Sequence, residues 1–564
     1  MARDAAGSGS AANDPGQAPG GAVDVIEVEV EAFEGKPPLK INLANPAPFG
    51  YSIAATLGLI ALVDRADSAL VGGLLPTLQD YFGFGDTAAG LLLSAQSVAA
   101  LLLVIPAGRL ADTRSRKAVL AVVIFMWGLL TFGAAAAPTF ALLFVARVLL
   151  GIATPLNIPA SASIVGDIYR SEARTKAFAI VRVMEYLGFP LGVLIGGVVG
   201  GAFGWRAAFL VMGVPAILLS IYVAVRFKEP KRGLADDLTV RAERAGLVVE
   251  EAEPDEHTGF RTVPEAGEPI NLEHAEDPDA GQPGVLTRTK EVLSIPTLRW
   301  VIIGQALLFA GFSGLFSFAP TFFFRVQDLN EGAAAGISGG VGLIGLAAGG
   351  AMASRIGDRH HGNKRGWKIL ISGVALTAAA LSVLVFTLVP SLPLQLVLFL
   401  IINFANIVAL ANLGAVQADV IPARMRGTGF ATAQFLITIG SSTGALIVGS
   451  VSGYFIRRET EISGTQVKAA EDAFESATSA VDAAVASNAS QSVVDGLQAT
   501  AAGAESAFNA LDTVFGQAQA LGIRWGIGAL FIVLFLGAIT IFRARATYDD
   551  DAAAVIAEVE AAAV

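Results

Sequence analysis

Three charged residues lie close together within one apolar stretch of the chain: Asp64, Arg65 and Asp67. The two aspartates are three positions apart, so a helix would carry both carboxyl groups on one face. Two carboxylates in a low-dielectric environment resist simultaneous ionisation, so we expect one of them to bind and release a proton near neutral pH. The alternative is that Asp67 lies near water while Asp64 forms a static ion pair with Arg147, which would hold two helices together.

The other ionisable residues in apolar stretches of the first half are Arg147, Arg182 and Glu185. An ionised side chain at the centre of a bilayer costs at least about 2.5–3.5 kcal/mol, so such residues usually face a cavity or a partner. Arg147 could bind an anionic group or pair with Asp64. Arg182 and Glu185, three positions apart, could form a local ion pair. The rival hypothesis makes Glu185 a proton acceptor for which Arg182 or Arg147 competes.

Amides and aromatic rings replace charges in the apolar stretches of the second half. The amides are Gln305, Asn403, Asn406, Asn412, Gln417 and Gln434. The aromatic residues Phe309, Phe312, Phe316 and Phe323 follow one another at spacings of three, four and seven, which places them on one stripe of a helix. The stripe is either one wall of a cavity for an acyl chain or ordinary packing. We predict that Gln305, Asn406, Gln434, Phe309, Phe312 and Phe316 face the substrate.

The composition excludes several classes of protein. The chain has 564 residues, of which 54% are hydrophobic and 15% charged, whereas a soluble globular protein carries about 25% charged residues. A net charge of −11 argues against nucleic-acid binding. Cysteine is absent, which excludes disulfides and iron–sulfur clusters. All four histidines lie outside the apolar stretches, so we predict neither a metal site nor a cofactor, and the spans carry no pattern typical of an enzyme.

Twelve apolar stretches are long enough to cross a bilayer, at about 20 residues per crossing. They are 51–78, 87–107, 118–137, 140–166, 177–202, 207–227, 298–324, 333–356, 368–389, 393–418, 428–454 and 523–543. The short loops on one side carry fourteen Lys and Arg residues, and those on the other side offer only Arg206 and Arg325. Because positive loops stay in the cytoplasm, we predict a multi-pass protein of the plasma (inner) membrane with both termini cytoplasmic.

The predicted domain organisation follows from these stretches. Residues 51–227 and 297–545 would each form a six-helix bundle, joined by an acidic cytoplasmic linker over 228–296, which has fifteen acidic residues between Glu229 and Asp279. Residues 1–50, rich in Gly, Ala and acids, are predicted to be a disordered cytoplasmic tail, and residues 546–564 a second cytoplasmic tail.

Residues 457–522 have no counterpart in the first half. Small and apolar residues recur there at spacings of three and four in two runs, the first from Val467 to Ala484 and the second from Leu497 to Ala518. Such seams are typical of paired helices. We therefore predict an antiparallel helical hairpin on the extracytoplasmic side, with its turn between Asn488 and Gly496.

Matching motifs indicate that the two halves are duplicates. Asp167 and Arg174 in the first half have counterparts, Asp419 and Arg426, at an offset of 252 residues. Asp112 matches Asp358 at an offset of 246. Two similar six-helix halves around a central cavity are typical of transporters, with the substrate site near the midplane.

The loop between the second and third predicted spans resembles that of the major facilitator superfamily. Gly108, Asp112, Arg116 and Lys117 match the family motif, whereas Thr113 and Ser115 depart from it. The resemblance implies twelve helices in two pseudo-symmetric bundles and a cytoplasmic gate. We assign Gly108, Asp112, Arg116, Lys117, Asp167, Arg174, Asp358, Asp419 and Arg426 to this gate.

The first predicted span is similar to that of Spinster-like carriers, which move lysophospholipids and sphingoid phosphates, with proton coupling proposed for bacterial members. That family has an Asp–Arg pair in helix 1, and in helix 4 an Arg followed seven residues later by a Glu. Asp64, Arg65 and Arg147 fit this pattern, but Thr154 stands where the helix-4 carboxylate is expected. The resemblance therefore leaves open which carboxylate completes the site.

The sequence predicts a secondary active transporter that uses protons to move an amphipathic, anionic, lipid-like solute of the lysophospholipid type. The proton-coupling candidates are Asp64, Asp67 and Glu185, and the charged or polar substrate contacts are Arg65, Arg147, Arg182 and Thr154. One alternative is a multidrug or small-metabolite proton antiporter. Another, of a different class, is a non-transporting membrane receptor. The expected partners are the solute, protons and the membrane, and the expected state is a monomer.

Overall fold

The computed structural model describes residues 27–113, 115–244, 285–359, 366–422, 426–462, 464–487 and 489–563. It is almost entirely helical, apart from one small sheet, as the sequence predicts. Within the described residues, nine helices are long and apolar enough to cross a membrane, and Phe140–Ala153 is a shorter apolar helix. The figure of twelve spans stays a prediction.

The first half contains eight α-helices and a short 3₁₀ turn among the described residues. They are α1 (Ser52–Gly73), α2 (Leu75–Phe82), α3 (Asp86–Thr113), α4 (Arg116–Ala135), α5 (Phe140–Ala153), the turn Thr154–Leu156, α6 (Asn157–Ile168), α7 (Ser171–Phe203) and α8 (Trp205–Val225). The turn divides the predicted span 140–166, and Pro155 lies within it. Proline lacks the N–H that a continuing α-helix would need, which explains the break.

Among the described residues before the second half are two short helices, α9 (Leu234–Arg244) and α10 (Val285–Ser294). Its own helices are α11 (Pro296–Gln327), α12 (Glu331–Arg359), α13 (Trp367–Leu388), α14 (Leu392–Val420), α15 (Arg426–Glu459), α16 (Gly464–Ala486) and α17 (Gln491–Ala563). We call the end of the bundle with Arg116, Arg170 and Lys368 the arginine-rich face. The opposite end, which carries α16, is the hairpin face.

Equivalent glycines bring helices together in both halves, as a duplication requires. A Cβ at Gly192 of α7 would lie 2.1 Å from the carbonyl oxygen of Ala66 in α1. A Cβ at Gly444 of α15 would lie 2.0 Å from the carbonyl oxygen of Ala310 in α11. Gly192 and Gly444 are 252 residues apart, the offset of the sequence motifs. Only a residue without a side chain permits this close approach of two helices.

The predicted disordered tail 1–50 is wrong for its described part, residues 27–50. Strands β1 (Glu27–Val30) and β2 (Leu39–Asn42) pair antiparallel. Alternate residues, such as Val30 and Ile41, are buried against Leu234 and Leu238 of α9, which lies in the predicted linker. This apolar alternation is short and is surrounded by Gly, Ala and acidic residues, so composition concealed it.

The N-terminal segment is also anchored to the helix bundle. The Arg170 guanidinium donates to the carbonyl oxygen of Leu43 at 2.8 Å. The Tyr169 hydroxyl donates to the carbonyl oxygen of Gly50 at 3.0 Å and accepts from the N–H of Ala54 at 3.2 Å. Burial raises the pKa of the Tyr169 hydroxyl, so it remains protonated and able to donate at neutral pH.

The predicted helical hairpin is confirmed, although its turn is shorter than expected. α16 packs against the first part of α17, and Phe474 stacks on Phe508 with ring centroids 6.4 Å apart. α17 begins at Gln491, inside the predicted turn, and continues through the last predicted span to Ala563. The described end of the chain, which the sequence predicts as a cytoplasmic tail, is therefore helical. Asp551 accepts from the N–H of Thr297 at 2.8 Å, which holds this end against α11.

Candidate functional site

The two aspartates of α1 have different environments. Asp67 is buried, accepts from Arg147 at 3.0 Å and from the Thr131 hydroxyl at 2.9 Å. The alternatives that Asp67 lies near water and that Asp64 pairs with Arg147 are therefore both wrong. Because Thr131 on α4 and Arg147 on α5 both point at Asp67, the ion pair joins α1 to both helices.

The Arg147 guanidinium makes few polar contacts besides its ion pair with the Asp67 carboxylate. It is 2% exposed, and its Nε and Nη2 atoms have no hydrogen-bond partner in the described part of the protein. Nη1 also donates to the carbonyl oxygen of Asp67 at 3.3 Å, and the ring of Phe209 lies 5.0 Å from the guanidinium carbon. The Asp67 carboxylate is thus the main group that balances this buried charge.

Asp64 is buried as deeply as Asp67, at 6% exposure, but its Oδ1 atom has no hydrogen-bond partner among the described residues. It lines a small internal chamber together with Asp67, Trp127 and Thr131. An ionised carboxylate that lacks a full set of partners is costly in such a place, whereas a neutral carboxyl group is much less so. Among the described carboxyl groups of the first half, Asp64 is therefore one whose neutral form fits its surroundings better than its ionised form.

Glu185 lies between two arginines. Arg65 donates to its Oε1 atom from Nη2 at 2.8 Å and from Nε at 3.0 Å, and Arg182 donates to Oε2 at 2.8 Å. Glu185 is buried, whereas the Arg65 and Arg182 side chains are 34% and 47% exposed. Arg147 takes no part, so of the two predicted competitors only Arg182 is in place, and Arg65 was not foreseen.

An aromatic cluster lies beside this triad. Phe189 follows Glu185 by four residues on α7, so both lie on one face of the helix. Its ring is 5.8 Å from that of Phe312 and 5.5 Å from that of Phe316, both on α11 of the second half. Sequence reasoning missed Phe189, although its position one turn after Glu185 was a usable signal. The cluster spans the boundary between the halves.

The predicted phenylalanine stripe of α11 divides into two parts. Phe312 and Phe316 belong to the aromatic cluster, with Phe312 only half-buried. Phe309 packs against the core of the second half, and Phe323 is buried there against Phe386 and Phe399. The packing interpretation thus holds for Phe309 and Phe323.

Thr154 does not replace the missing carboxylate. Its hydroxyl donates to the carbonyl oxygen of Leu150 at 3.1 Å and accepts from Gln96 at 3.4 Å. Gln96 also donates to the Ser68 hydroxyl at 2.7 Å, and Ser68 donates to the carbonyl oxygen of Asp64. Thr154 therefore reaches α1 through neutral groups only.

The predicted amides of the second half have mixed roles. The Gln417 side-chain amide donates to the Gln305 side-chain amide oxygen at 2.6 Å, which links α14 to α11. Asn406 is 1% exposed, and neither polar atom of its side chain has a partner in the described protein. Gln434 is half-buried on α15. Asn406 is therefore the amide with the most unused hydrogen-bonding capacity.

Three of the predicted gate residues take part in equivalent ion pairs at the arginine-rich face. Arg116 pairs with Asp167 in the first half, and Lys368 pairs with Asp419 at 3.1 Å in the second. Each member lies 252 residues from its counterpart. Arg174 donates to the carbonyl oxygens of Gly166 and Tyr169, which caps the end of α6.

Two other predicted gate residues lie within described helices. Gly108 lies within α3, and Lys117 is half-buried near the start of α4. The side chains of Asp112, Asp358 and Arg426 lie outside the described residues.

Glu229 and Pro230, just after α8, complete the environment of Arg116. The fully buried Arg116 side chain donates to the Pro230 carbonyl oxygen at 2.7 Å and to the Ser163 hydroxyl at 3.0 Å. Its backbone N–H donates to Glu229 at 2.7 Å. The N–H of Glu34 in turn donates to the carbonyl oxygen of Glu229 at 3.1 Å. The segment that follows β1 and the residues just after α8 thus hold Arg116, a predicted gate residue, in place.

A buried ion pair joins the two halves at the hairpin face. Arg325 of α11 donates to both carboxylate oxygens of Asp86, at 2.8 and 3.0 Å, and to the Gln79 amide oxygen at 3.0 Å. Gln79 and Ser452 of α15 also donate to Asp86. A second link runs from the Thr77 hydroxyl to Glu331 at 2.6 Å. Sequence reasoning used Arg325 only to assign sides and missed Asp86.

The helices near this ion pair are in close contact. A Cβ at Gly449 of α15 would lie 2.3 Å from the carbonyl oxygen of Asp86 and 2.9 Å from the Cα of Gly90. Lys468 of α16 donates to the carbonyl oxygen of Asp80 at 3.2 Å, so the hairpin touches the first half. The hairpin face is therefore closed.

Comparison with known proteins identifies the general class. The family model described as Major Facilitator Superfamily matches residues 57–445. The 4-hydroxybenzoate transporter PcaK of Pseudomonas aeruginosa is 27% identical over 37% of this chain and 45% of its own length. The sphingosine-1-phosphate transporter SPNS2 of Mus musculus is 31% identical over 33% of this chain and 34% of its own. The chain thus spans less than half the length of these curated relatives.

A solved structure extends the similarity to nearly the whole fold. It is that of a bacterial homologue of the human lysosomal transporter Spinster, in an inward-facing and occupied conformation. The TM-score is 0.64, at 21% identity, and the match covers 90% of this chain and 98% of the other.

Proposed function

Since the chain belongs to the major facilitator superfamily and is a multi-pass membrane transporter, we propose that it moves an amphipathic organic anion by alternating access, driven by the proton gradient. Both curated relatives described above are transporters. This favours transport over the receptor alternative.

The observation that carries the proposal is the position of Glu185, beside an aromatic cluster and between two partly exposed arginines. Planar guanidinium groups bind carboxylates and phosphates through paired hydrogen bonds. An anionic head group would replace Glu185 as the partner of Arg65 and Arg182. The apolar part of the same solute would then contact Phe312 and Phe189, about one helical turn away.

Asp64 supplies the proton-dependent part of the proposal. It lies next to Arg65 in sequence, and its Oδ1 atom is buried without a partner in the described protein. When Asp64 is neutral, Arg65 has only Glu185 and the solute as anionic partners. When Asp64 is ionised, it attracts the same guanidinium and weakens its hold on the solute. Proton binding to Asp64 and solute binding to Arg65 are thereby coupled.

Two solute classes fit this chemistry. Sphingosine-1-phosphate, named for SPNS2, combines a phosphate with a long chain, which fits the notion of a lysophospholipid-like solute. The 4-hydroxybenzoate named for PcaK is a small aromatic carboxylate, which fits the small-metabolite alternative. The aromatic cluster of Phe189, Phe312 and Phe316 crosses the boundary between the halves and offers apolar area beyond a single ring. We therefore favour the lipid-like solute.

We place the protein in the plasma (inner) membrane, with its arginine-rich face on the cytoplasmic side. The excess of Lys and Arg in its short loops supports this orientation. Closure of the hairpin face by the Asp86–Arg325 pair then corresponds to a state in which access is from the cytoplasm. We further propose that the transporter works as a monomer.

Competition binding with purified full-length protein tests the choice of solute. A radiolabelled lysophospholipid is bound to wild-type protein and displaced with unlabelled lysophospholipid or with 4-hydroxybenzoate. We expect displacement by the first at much lower concentration, and loss of binding in Arg65→Gln. Arg206→Gln is the matched control, because Arg206 lies at the hairpin face against Tyr81 and Trp205. Absence of displaceable lysophospholipid binding, together with saturable binding of radiolabelled 4-hydroxybenzoate, would establish the small-metabolite alternative.

A further inference from the structure

The internal chamber beside Asp64 lies within the first half, between α1, α4, α5 and α8. Its polar lining consists of Asp64, Asp67, Trp127 and Thr131, and its apolar lining includes Leu150 and Ala216. The chamber is separate from the Arg65–Glu185–Arg182 triad, whose residues do not line it. Its free space is small and admits about one water molecule.

Two deeply buried polar atoms belong to side chains that line this chamber and lack a partner in the described protein. One is Asp64 Oδ1, an acceptor, and the other is Trp127 Nε1, a donor. Asp64 and Trp127 are 6% and 3% exposed. A buried donor or acceptor left unpaired is costly, and an ordered water that makes about three hydrogen bonds removes this cost.

The lining selects a water molecule rather than a metal cation. The indole N–H of Trp127 can only donate, so it cannot ligate a cation. The Arg147 guanidinium, paired with Asp67 at 3.0 Å, adds a positive charge beside the chamber. Asp67 already accepts from Arg147 and Thr131, and a carboxylate has further lone pairs for one more donor.

We propose that this chamber is a binding site for one water, which accepts from Trp127 and donates to Asp64 and Asp67. The water stabilises the ionised form of Asp64 and so sets the pH at which this carboxyl group takes up its proton, while Asp67 stays ionised against Arg147. Trp127 is then a positioning residue for proton coupling, because it orients the water without itself exchanging a proton. This inference rests on the proposed proton coupling through Asp64.

The charges around Asp64 are defined by the elements packed against it. Arg65 and Asp67 are on its own helix, Glu185 is on α7, and Arg147 is on α5. None of these is altered by changing Trp127. A change in proton dependence after such a substitution would therefore report on the hydrogen bond from the indole and not on a lost charge.

Transport by reconstituted full-length protein, measured as a function of pH, tests the proposal. Trp127→Phe keeps an aromatic ring but removes the five-membered part of the indole with its N–H donor, so ionised Asp64 loses part of its stabilisation. We expect the pH of half-maximal proton-driven uptake to rise by about one unit, a tenfold change in proton affinity. Solute binding at acidic pH should stay at the wild-type level. Trp525→Phe, which changes a half-exposed ring stacked on Phe455, is the matched control.

A second variant changes the lining of the chamber and leaves Trp127 intact. Ala216→Val adds methyl groups to the lining and displaces the water, so it should give an upward shift in the same direction. Wild-type midpoints in both variants would overturn the proposal, as would a sodium dependence of uptake that disappears in Trp127→Phe.

Infrared spectroscopy separates this inference from the proposed function. The carbonyl stretch of a protonated Asp64 is identified as the band missing in Asp64→Asn, and it is titrated in purified protein without any solute. We expect its frequency and midpoint to change in Trp127→Phe. If no proton-driven uptake occurs but the band responds to Trp127, the proposed function fails while the water site stands. If uptake depends on Asp64 but the band ignores Trp127, only the water site fails.

Discussion

Removal of the Asp67 carboxylate is expected to destabilise the protein far more than the same change at Asp64. In Asp67→Ala, the Arg147 guanidinium would keep only a carbonyl contact at 3.3 Å and the ring of Phe209. Breaking a buried ion pair in this way costs about 3–5 kcal/mol, because one charge is left uncompensated. Asp64→Ala removes a carboxyl group with an unpartnered oxygen. We therefore expect it to lower the free energy of unfolding by less than about 1 kcal/mol.

The isosteric change Asp67→Asn distinguishes charge from hydrogen bonding. The amide oxygen of Asn can still accept from Arg147. Asp67→Asn should therefore lower the free energy of unfolding by about half as much as Asp67→Ala does. In the double variant Asp67→Asn, Arg147→Gln both sides are neutral. We therefore expect it to be more stable than Asp67→Asn alone, with a coupling energy of about 2–3 kcal/mol.

Reversible unfolding in mixed micelles gives these free energies for the wild type, the single variants and the double variant. The corresponding pair at Asp64, Asp64→Asn with Arg147→Gln, serves as the control cycle and should show no coupling. Equal losses for Asp67→Ala and Asp64→Ala, or coupling of Arg147 to Asp64 instead, would refute the assignment of the ion pair.

Three further predictions concern the two faces of the bundle. Glu229→Gln weakens the contacts that Glu229 makes with the buried Arg116 and should lower the free energy of unfolding by about 1–3 kcal/mol. Trypsin should then cleave the start of the linker faster than in the wild type. Unchanged cleavage would mean that Glu229 does not hold Arg116 in place. Gly449→Ala places a methyl group 2.3 Å from the carbonyl oxygen of Asp86 and should widen the hairpin face. Distances between spin labels on either side of this face measure the widening. Gly133→Ala, which has open space around it, is the control and should leave these distances unchanged. Arg325→Gln leaves Asp86 without its cation and should shift the same distances towards an open hairpin face; an unchanged distribution would mean that this pair does not hold the face closed.

The helices and the duplication were predictable because they depend on local pattern and on spacing along the chain. Long apolar runs gave the helices, and the common offset of Asp167 and Asp419 located equivalent ends of the two halves. The α16–α17 hairpin followed from apolar residues at helical spacing. By contrast, β1 and β2 have only four residues each and are stabilised by α9, about 200 residues away in sequence. No local pattern reveals such a contact.

The sequence predicts which charged residues belong to the site, but not which of them pair with one another. Asp64, Asp67, Arg147, Arg182 and Glu185 were selected because each is ionisable within an apolar stretch. Which carboxylate faces which arginine depends on how the helices are rotated about their axes, and sequence spacing does not fix that rotation. The alternative in which Arg147 pairs with Asp64 is therefore wrong. The Asp86–Arg325 pair, whose members are 239 residues apart, was missed.

Uptake driven by an imposed pH gradient tests the central claim most directly. Proteoliposomes that contain wild-type protein or Asp64→Asn are given an amphipathic anion and a gradient that is acidic on one side. We predict that the wild type accumulates the solute only with the gradient, and that Asp64→Asn still exchanges solute for solute but no longer responds to pH. Accumulation by Asp64→Asn with a wild-type response to the gradient would contradict the account.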